Sequence, residues 1–385
     1  MTSLDTQESR IVELINAVDN QIKKVHTQSL DISFNELLDM YKSGELNINP
    51  DYQRLFQWSE GARSRFIESL LLEMPVPPIY VIEESDGKYM LIDGLQRISS
   101  YLHLRGELEA EHLDPPIHRG EKLILRECDI VQELNGKTFD HLGTALQIRL
   151  KRAFVRVEVV RKGSDPKFRY HMFKRLNTGG LLLTHQQLRN CTIRLLDPTF
   201  NDFIINLSKE AAFRECIMSL NQERVLEAYD QELVLRFFAL KNYRDKFEHD
   251  VADFLTEYME AVSEPDLEKR LSFNYEQEKD IFCKTFLIFQ KTLGEYAFAA
   301  ANRARETLTR GFAVYHFEAF TIGLQPYLEQ LDPSNDVMIE NLENTFRSIK
   351  CDEQFVRMTT GGGKNSRGLL RDRIDFVKDR IQSAI

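Results

Sequence analysis

The chain has 385 residues, 42% of them hydrophobic and 29% charged; it is long enough for two domains and its composition excludes a disordered protein. A net charge of −10 argues against a general nucleic-acid coat, no stretch approaches a membrane span, and no basic-then-apolar secretory signal opens the sequence. Five scattered cysteines without a Cys-x-x-Cys pair fit reduced thiols, so a cytoplasmic protein with no membrane contact is expected.

The charge is uneven. Residues 149–175 hold ten Lys and Arg against only Glu158 and Asp165. Such a segment either faces a polyanion or is balanced by carboxylates elsewhere in the fold.

In chain order, residues 1–45 pattern as helix, with Ile11, Leu14, Ile15 and Val18 on one face. Ser33-x-x-Glu36 has the form of a capping box, opening a short helix that Gly44 closes. Leu46 to Ile48 is strand-like and residues 49–54 form a loop. A helix over about 60–73 puts Phe66, Ile67, Leu70 and Leu71 on its apolar face, with Arg63 and Glu68 off it. Pro75, Pro77 and Pro78 stop it. Strands Ile79–Ile82 and Lys88–Ile92 pair antiparallel across Asp86-Gly87, and a helix follows from near Leu95.

Residues 107–142 read as an insert with a hairpin at Asn135-Gly136. Phe154–Val160 is a strand whose apolar face starts at Phe154, and helices over 166–176 and 184–194 complete the first part. Leu196-Asp197-Pro198 is a plausible boundary. Beyond it the pattern is helical, at 222–243, 250–261, 267–293, 312–328, 336–348 and 369–381. The expected organisation is an N-terminal helix (1–30), an α/β domain (31–195) and a helical domain (196–385).

Three polar clusters fall at element ends of the α/β part: Asp51-Tyr52-Gln53-Arg54, Asp93-Gly94-Leu95-Gln96-Arg97 and Arg175-Leu176-Asn177-Thr178-Gly179-Gly180. Rigid elements position such loops while their backbone groups stay free to bind. A helix N-terminus attracts anions, Gly94 permits close approach, and an arginine forks onto phosphate oxygens. Asp93 would repel phosphate, which leaves it to hold Mg²⁺, orient Arg97 or cap the helix. Asn177 and Thr178 offer neutral oxygens to the metal, and Thr178-Gly179-Gly180 a nest of N–H groups. Neither Gly-x-x-x-x-Gly-Lys-Ser/Thr nor Gly-x-Gly-x-x-Gly is present, so neither standard nucleotide fold is implied.

The ordered set Ile48-x-Pro50-Asp51-Tyr52-Gln53-Arg54, Val76-Pro77-Pro78-Ile79-Tyr80-Val81, Asp86-Gly87-Lys88-Tyr89, Ile92-Asp93-Gly94-Leu95-Gln96-Arg97, Arg175 to Gly180 and Gln187-Leu188-Arg189-Asn190 resembles the N-terminal domain of GmrSD-type restriction endonucleases. That domain is a branch of the ParB/sulfiredoxin-like fold, so the resemblance implies an α+β chain: a ParB-like α/β domain, then an all-α domain. Asp230–Phe238 and Thr359-Thr360-Gly361-Gly362-Gly363 to Arg373 resemble the helical extension of these proteins more loosely.

The resemblance implies a nucleoside triphosphate with Mg²⁺. Tyr52, Gln53, Arg54, Gly94, Gln96, Arg175, Asn177, Thr178, Gly179 and Gly180 would bind the nucleotide. Asp93 and Arg97 would act in any hydrolysis, and Asp93 and Asn177 would hold the metal. The implied role is nucleotide-dependent DNA restriction or anti-phage defence, with DNA and a separate nuclease as partners and a homodimer admitted. The nuclease is expected elsewhere because the C-terminal half has only His249 and His316, without the HNH pattern. A non-enzymatic DNA-binding or adaptor module and a metal-dependent nuclease are the alternatives.

Overall fold

In the computed structural model the first half of the chain is built on a five-stranded mixed sheet of order β1-β5-β3-β4-β2. Residues 3–48, 56, 58–84, 87–111, 113, 115–178, 184–248, 250–364 and 366–383 are described. They divide into two compact units, 1–182 and 183–385.

Helix α1 (Ser3–Ile22) is followed by strand β1 (Thr27–Ser33), where a continuous helix was expected. This strand carries little hydrophobic signal because it lies at the sheet edge and is largely exposed. Its structure comes instead from an antiparallel ladder with β5 (Phe154–Val160), from Thr27 opposite Val160 to Ser33 opposite Phe154. Ser33 then caps α2 (Phe34–Ser43), its hydroxyl accepting from the Glu36 N–H at 3.1 Å. Gly44, at φ +77°, ends that helix in the left-handed region.

Strand β2 (Leu46–Asn47) runs parallel to β4 (Tyr89–Asp93), and β3 (Ile79–Glu83) lies antiparallel to β4 and parallel to β5. One end of the sheet therefore gathers the C-terminal ends of β1 and β4 and the N-terminal ends of β3 and β5. Along β5 the buried residues are Val155, Val157, Val159 and Val160, while Phe154 is 67% exposed. The inward face is thus offset by one from the expected one, which reverses every side chain on a strand.

Helix α3 (Glu60–Leu71) buries the expected Phe66, Ile67, Leu70 and Leu71, but Arg63 and Glu68 are buried as well. The reason is a second packing surface. Glu68 Oε1 accepts the N–H groups of Ile130 (3.1 Å) and Val131 (2.6 Å), holding the 107–142 insert against the helix. The expected hairpin in the insert is replaced by two 3₁₀ turns, Gln132–Leu134 and Phe139–Leu142. The Asn135 side chain bonds the Cys128 backbone, and Leu125 exchanges bonds with Gly136 and Lys137. Helices α4 (Leu95–Arg105), α5 (Gly143–Arg152) and α6 (Pro166–Thr178) complete this unit.

The regular elements among the described residues of the second unit are helices, apart from an isolated bridge between Ala301 and Leu308. The unit runs through α7 (His185–Ile193), α8 (Pro198–Leu207), α9 (Ala211–Cys216), α10 (Gln222–Leu226), α11 (Tyr229–Asn242), α12 (Val251–Val262), α13 (Tyr275–Thr292), α14 (Val314–Gly323), α15 (Asp336–Cys351), α16 (Glu353–Thr359) and α17 (Arg367–Gln382). The expected 222–243 helix breaks at Ala228, whose φ is +61°. The expected 267–293 helix starts only at Tyr275, where Asn274 caps it by accepting from Gln277. Phe213, Phe237, Phe282, Phe286 and Phe317 form a fully buried aromatic core, with edge-to-face contacts such as Phe213–Phe286 at 4.9 Å.

A buried ionic knot joins three helices of this unit. Glu318 on α14 accepts from Arg236 on α11 and from Arg373 on α17. Arg236 also bonds Glu232, and Arg373 donates to the Lys364 carbonyl. Burial opposes the Arg236 charge, but Glu318 and Glu232 outweigh it and push the guanidinium pKa up. The Asp230–Phe238 and 359–373 stretches therefore meet on a single carboxylate.

Candidate functional site

The candidate site starts from an irregularity in the sheet. Tyr80 pairs with Asp93, and Val81 with Leu91, so Ile92 is an extra residue in β4. A bulge of this kind re-aims the side chain beside it, here Asp93 at the strand end. Gly94 follows at φ +106°, and a Cβ there would stand 2.7 Å from Cγ1 of Ile79. Both the backbone angle and the space require glycine, and α4 can begin immediately after the strand only for that reason.

One turn into α4, Arg97 folds back. Its Nη2 donates to Asp93 Oδ2 at 2.7 Å and to the Pro78 carbonyl at 3.1 Å. Arg97 is 15% exposed and Asp93 36%, so the pair sits half-sunk at the sheet end rather than within the core. The Arg97 Nε is buried and has no hydrogen-bond partner. No side chain caps α4 at Gly94. Of the roles open to Asp93, the geometry realises the orienting of Arg97 and not helix capping.

Gln96 faces the other way, its Oε1 accepting from the Trp58 N–H at 3.1 Å. The Trp58 carbonyl in turn accepts from Arg63 Nε at 2.7 Å, and the Arg63 guanidinium lies 4.7 Å from the centre of the buried Phe56 ring. Trp58 meets Phe66 edge-on at 5.9 Å. Phe56 and Trp58 therefore pack on α3, and the Trp58 N–H is held by α4. Tyr52, Gln53 and Arg54 lie outside the described residues, as do Gly179 and Gly180. Helix α6, expected to end at 176, extends through Asn177 to Thr178 and packs against β4. Arg175 lies exposed in its last turn. The described contacts thus join Asp93, Arg97 and the Pro78 carbonyl, with Gly94 and Gln96 beside them.

Beneath α4 lies a pair with no local sequence signature. Arg63 Nη1 donates to His103 Nδ1 at 3.1 Å, which requires that nitrogen to be unprotonated. Burial, and then the Arg63 charge, push the His103 pKa down to about 4. The neutral imidazole and the guanidinium it accepts from lock α3 to α4 behind the site. Forty residues separate the two, so no spacing rule reveals them.

Among the described residues no group of three or more His, Cys, Asp or Glu is placed to hold a metal ion. No helix among them is long and apolar enough to cross a membrane. His316 is buried, with Nδ1 3.3 Å from the Lys350 ammonium nitrogen; burial and then the Lys350 charge lower its pKa. His249 lies outside the described residues.

The α/β unit is thus a mixed-sheet domain whose polar residues of interest collect at one sheet end, around an arginine held by an aspartate. Residues 34–194 match the family model described as GmrSD restriction endonuclease, N-terminal domain. No curated protein and no solved structure matches the chain.

Proposed function

We propose that this protein serves DNA restriction or phage defence, and that its α/β unit binds a nucleoside triphosphate with Mg²⁺. The observation that carries this reading is the Asp93–Arg97 pair at the uncapped first turn of α4, within a segment matching a restriction-endonuclease domain. The half-sunk guanidinium and the N–H groups of that turn suit phosphate oxygens. Mg²⁺ takes one or two carboxylates and fills its remaining positions with phosphate and water. Asp93 supplies one carboxylate and Asn177 an amide oxygen. Arg54, Tyr52, Gln53, Arg175 and the Thr178–Gly180 stretch would close the phosphate pocket. When bound, the metal would neutralise charge on the phosphates.

Whether turnover follows is decided by phosphate release from the whole chain. A nuclease subunit in a partner fits the enclosed His316. The DNA-adaptor alternative draws on the basic 149–175 segment, yet Arg149, Arg156 and Arg161 each pair with a carboxylate, of Glu73, Asp31 and Glu83. Those pairs favour the balanced reading of the segment.

The test is titration calorimetry of ATP, GTP and CTP with Mg²⁺ on the wild type and Arg97→Lys. Lysine keeps the charge but loses the fork. We expect one nucleotide to bind the wild type and to bind the variant at least tenfold more weakly, with an unchanged melting temperature. Equal affinity in a folded variant removes Arg97 from the site. Arg97→Ala is a poorer probe, because it strips both Asp93 and the Pro78 carbonyl of a partner.

A further inference from the structure

Two features of the α/β unit lack partners and match each other. The first is the face of α1. Ile11, Leu14, Ile15, Val18 and Ile22 are each between 50 and 65% exposed. Their spacing of three and four residues puts them on one stripe, spanning about 16 Å at 1.5 Å per residue. Large aliphatic side chains in such a row are the usual anchors of a helix laid into a groove.

The second is a cleft of about 1010 Å³ at the sheet end, between the end of α3, helix α5 and the start of β5. Its walls include Met74, Ile148 and Phe154, which are 40, 42 and 67% exposed. Arg149 and Arg156 stand among them already paired with Glu73 and Asp31, which line the same cleft, while Arg152 has no carboxylate partner among the described residues and leaves the rim with one positive charge to spare. The α1 sequence brings the opposite charge, with four carboxylates (Asp5, Glu8, Glu13, Asp19) against Arg10.

The helix is held away from its own cleft. The Lys24 carbonyl accepts from the Asp165 N–H, and the His26 carbonyl from the Arg161 N–H. His26 N–H also donates to Ser164 Oγ. These bonds pin the connection to the Val160 end of β5, whereas the cleft opens at the Phe154 end, six residues or about 20 Å along the strand. With its C-terminal end fixed there, α1 leaves its apolar stripe exposed and does not line the cleft.

We propose that α1 of a second copy of this chain docks in the cleft, and that the exchange is reciprocal, giving a two-fold dimer. Each copy then lends one helix and receives one, as a closed isologous contact requires. Ile11, Ile15 and Val18 cover Met74, Ile148 and Phe154, while an acidic residue of α1 meets Arg152. The cleft borders the Arg97 site at Pro78, but association and nucleotide affinity are read separately, so neither result decides the other.

The experiment is sedimentation equilibrium on the full chain, the Ile15→Glu variant (helix side) and the Ile148→Glu variant (cleft side), with circular dichroism confirming that each is folded. The wild type is expected to be a dimer and each variant a monomer. An equimolar mixture should form a heterodimer through the one intact helix and the one intact cleft, at least tenfold weaker than the wild type. A wild type that stays monomeric overturns the proposal, including one that instead binds a single-stranded oligonucleotide sensitive to Ile148→Glu. A dimer that survives Ile148→Glu overturns it too, since helix would then be pairing with helix. Variants that do not associate when mixed also count against it.

Discussion

Both units of this chain sink arginines beside carboxylates, but they use them differently. In the helical unit Glu318 and Arg373 are 3% and 1% exposed, and one carboxylate ties α11, α14 and α17 together. In the α/β unit Arg97 and Asp93 sit at the sheet end with part of the carboxylate in solvent. An orphan Nε does not separate the two cases, because Arg236 and Arg373 have one as well as Arg97. Access does. A ligand can reach the Asp93–Arg97 pair without opening the fold, whereas reaching Glu318 means unpacking three helices.

The strongest way to break this contrast is Glu318→Ala. It leaves two buried guanidinium groups without their shared carboxylate, and removing one partner of a buried pair costs about 3–5 kcal/mol. Urea unfolding should show that loss. A cost near that of an exposed pair would mean the knot is not the strut described here.

The next effect belongs to the α/β unit and depends on pH. An unfolded histidine titrates near 6.5, while folded His103 titrates at about 4. Between these values the unfolded chain binds a proton that the folded chain refuses. Stability is therefore complete above pH 6.5 and is lost as pH falls toward 4, by on the order of 3 kcal/mol for this group. His316 acts in the same direction within the helical unit. His103→Gln should flatten only its own share, read from unfolding curves at pH 7 and pH 4.5. An unchanged slope would mean that Arg63 and His103 do not hold α3 to α4 as described.

The features legible in the sequence are those whose partners lie within a turn or two. Ser33 capping Glu36, the Asp93-Gly94 break and the pairing of β3 with β4 rest on local chemistry, and the chain shows all of them. Hidden were the contacts closed by long loops. Arg63 with His103, Glu68 with Val131, and Glu318 with Arg236 and Arg373 lie 40 to 82 residues apart. Strand β1 was hidden for another reason, since an edge strand open to solvent need not alternate. Of the three polar clusters, the Asp93–Arg97 one is joined by described side-chain hydrogen bonds, while Arg175 lies exposed at the end of α6.

That wall can be stressed through Gly94. Gly94→Ala places a methyl 2.7 Å from Ile79 at a backbone angle alanine rarely adopts. Overpacking and strain of this kind cost about 1–3 kcal/mol each. Because the site depends on the same turn, nucleotide affinity should fall with stability, by calorimetry and thermal melting on one sample. The same methyl tolerated at no cost would show that β3 and α4 are less tightly opposed than their separation indicates.

The smallest effect compares equivalent devices in the two units. Ser33 caps α2 with a 3.1 Å bond to Glu36, and Ser366 caps α17 with a 3.4 Å bond to Leu369. Replacing a capping serine by alanine costs about 1 kcal/mol, and the longer bond should contribute less. Ser33 also ends β1, where it pairs with Phe154 and turns the chain into α2. Ser33→Ala should therefore speed amide hydrogen exchange in the first turn of α2 more than Ser366→Ala does in that of α17. Equal protection losses would mean that both serines act as helix caps alone, and that the β1–α2 corner draws its rigidity from Phe34 and the α2 core face.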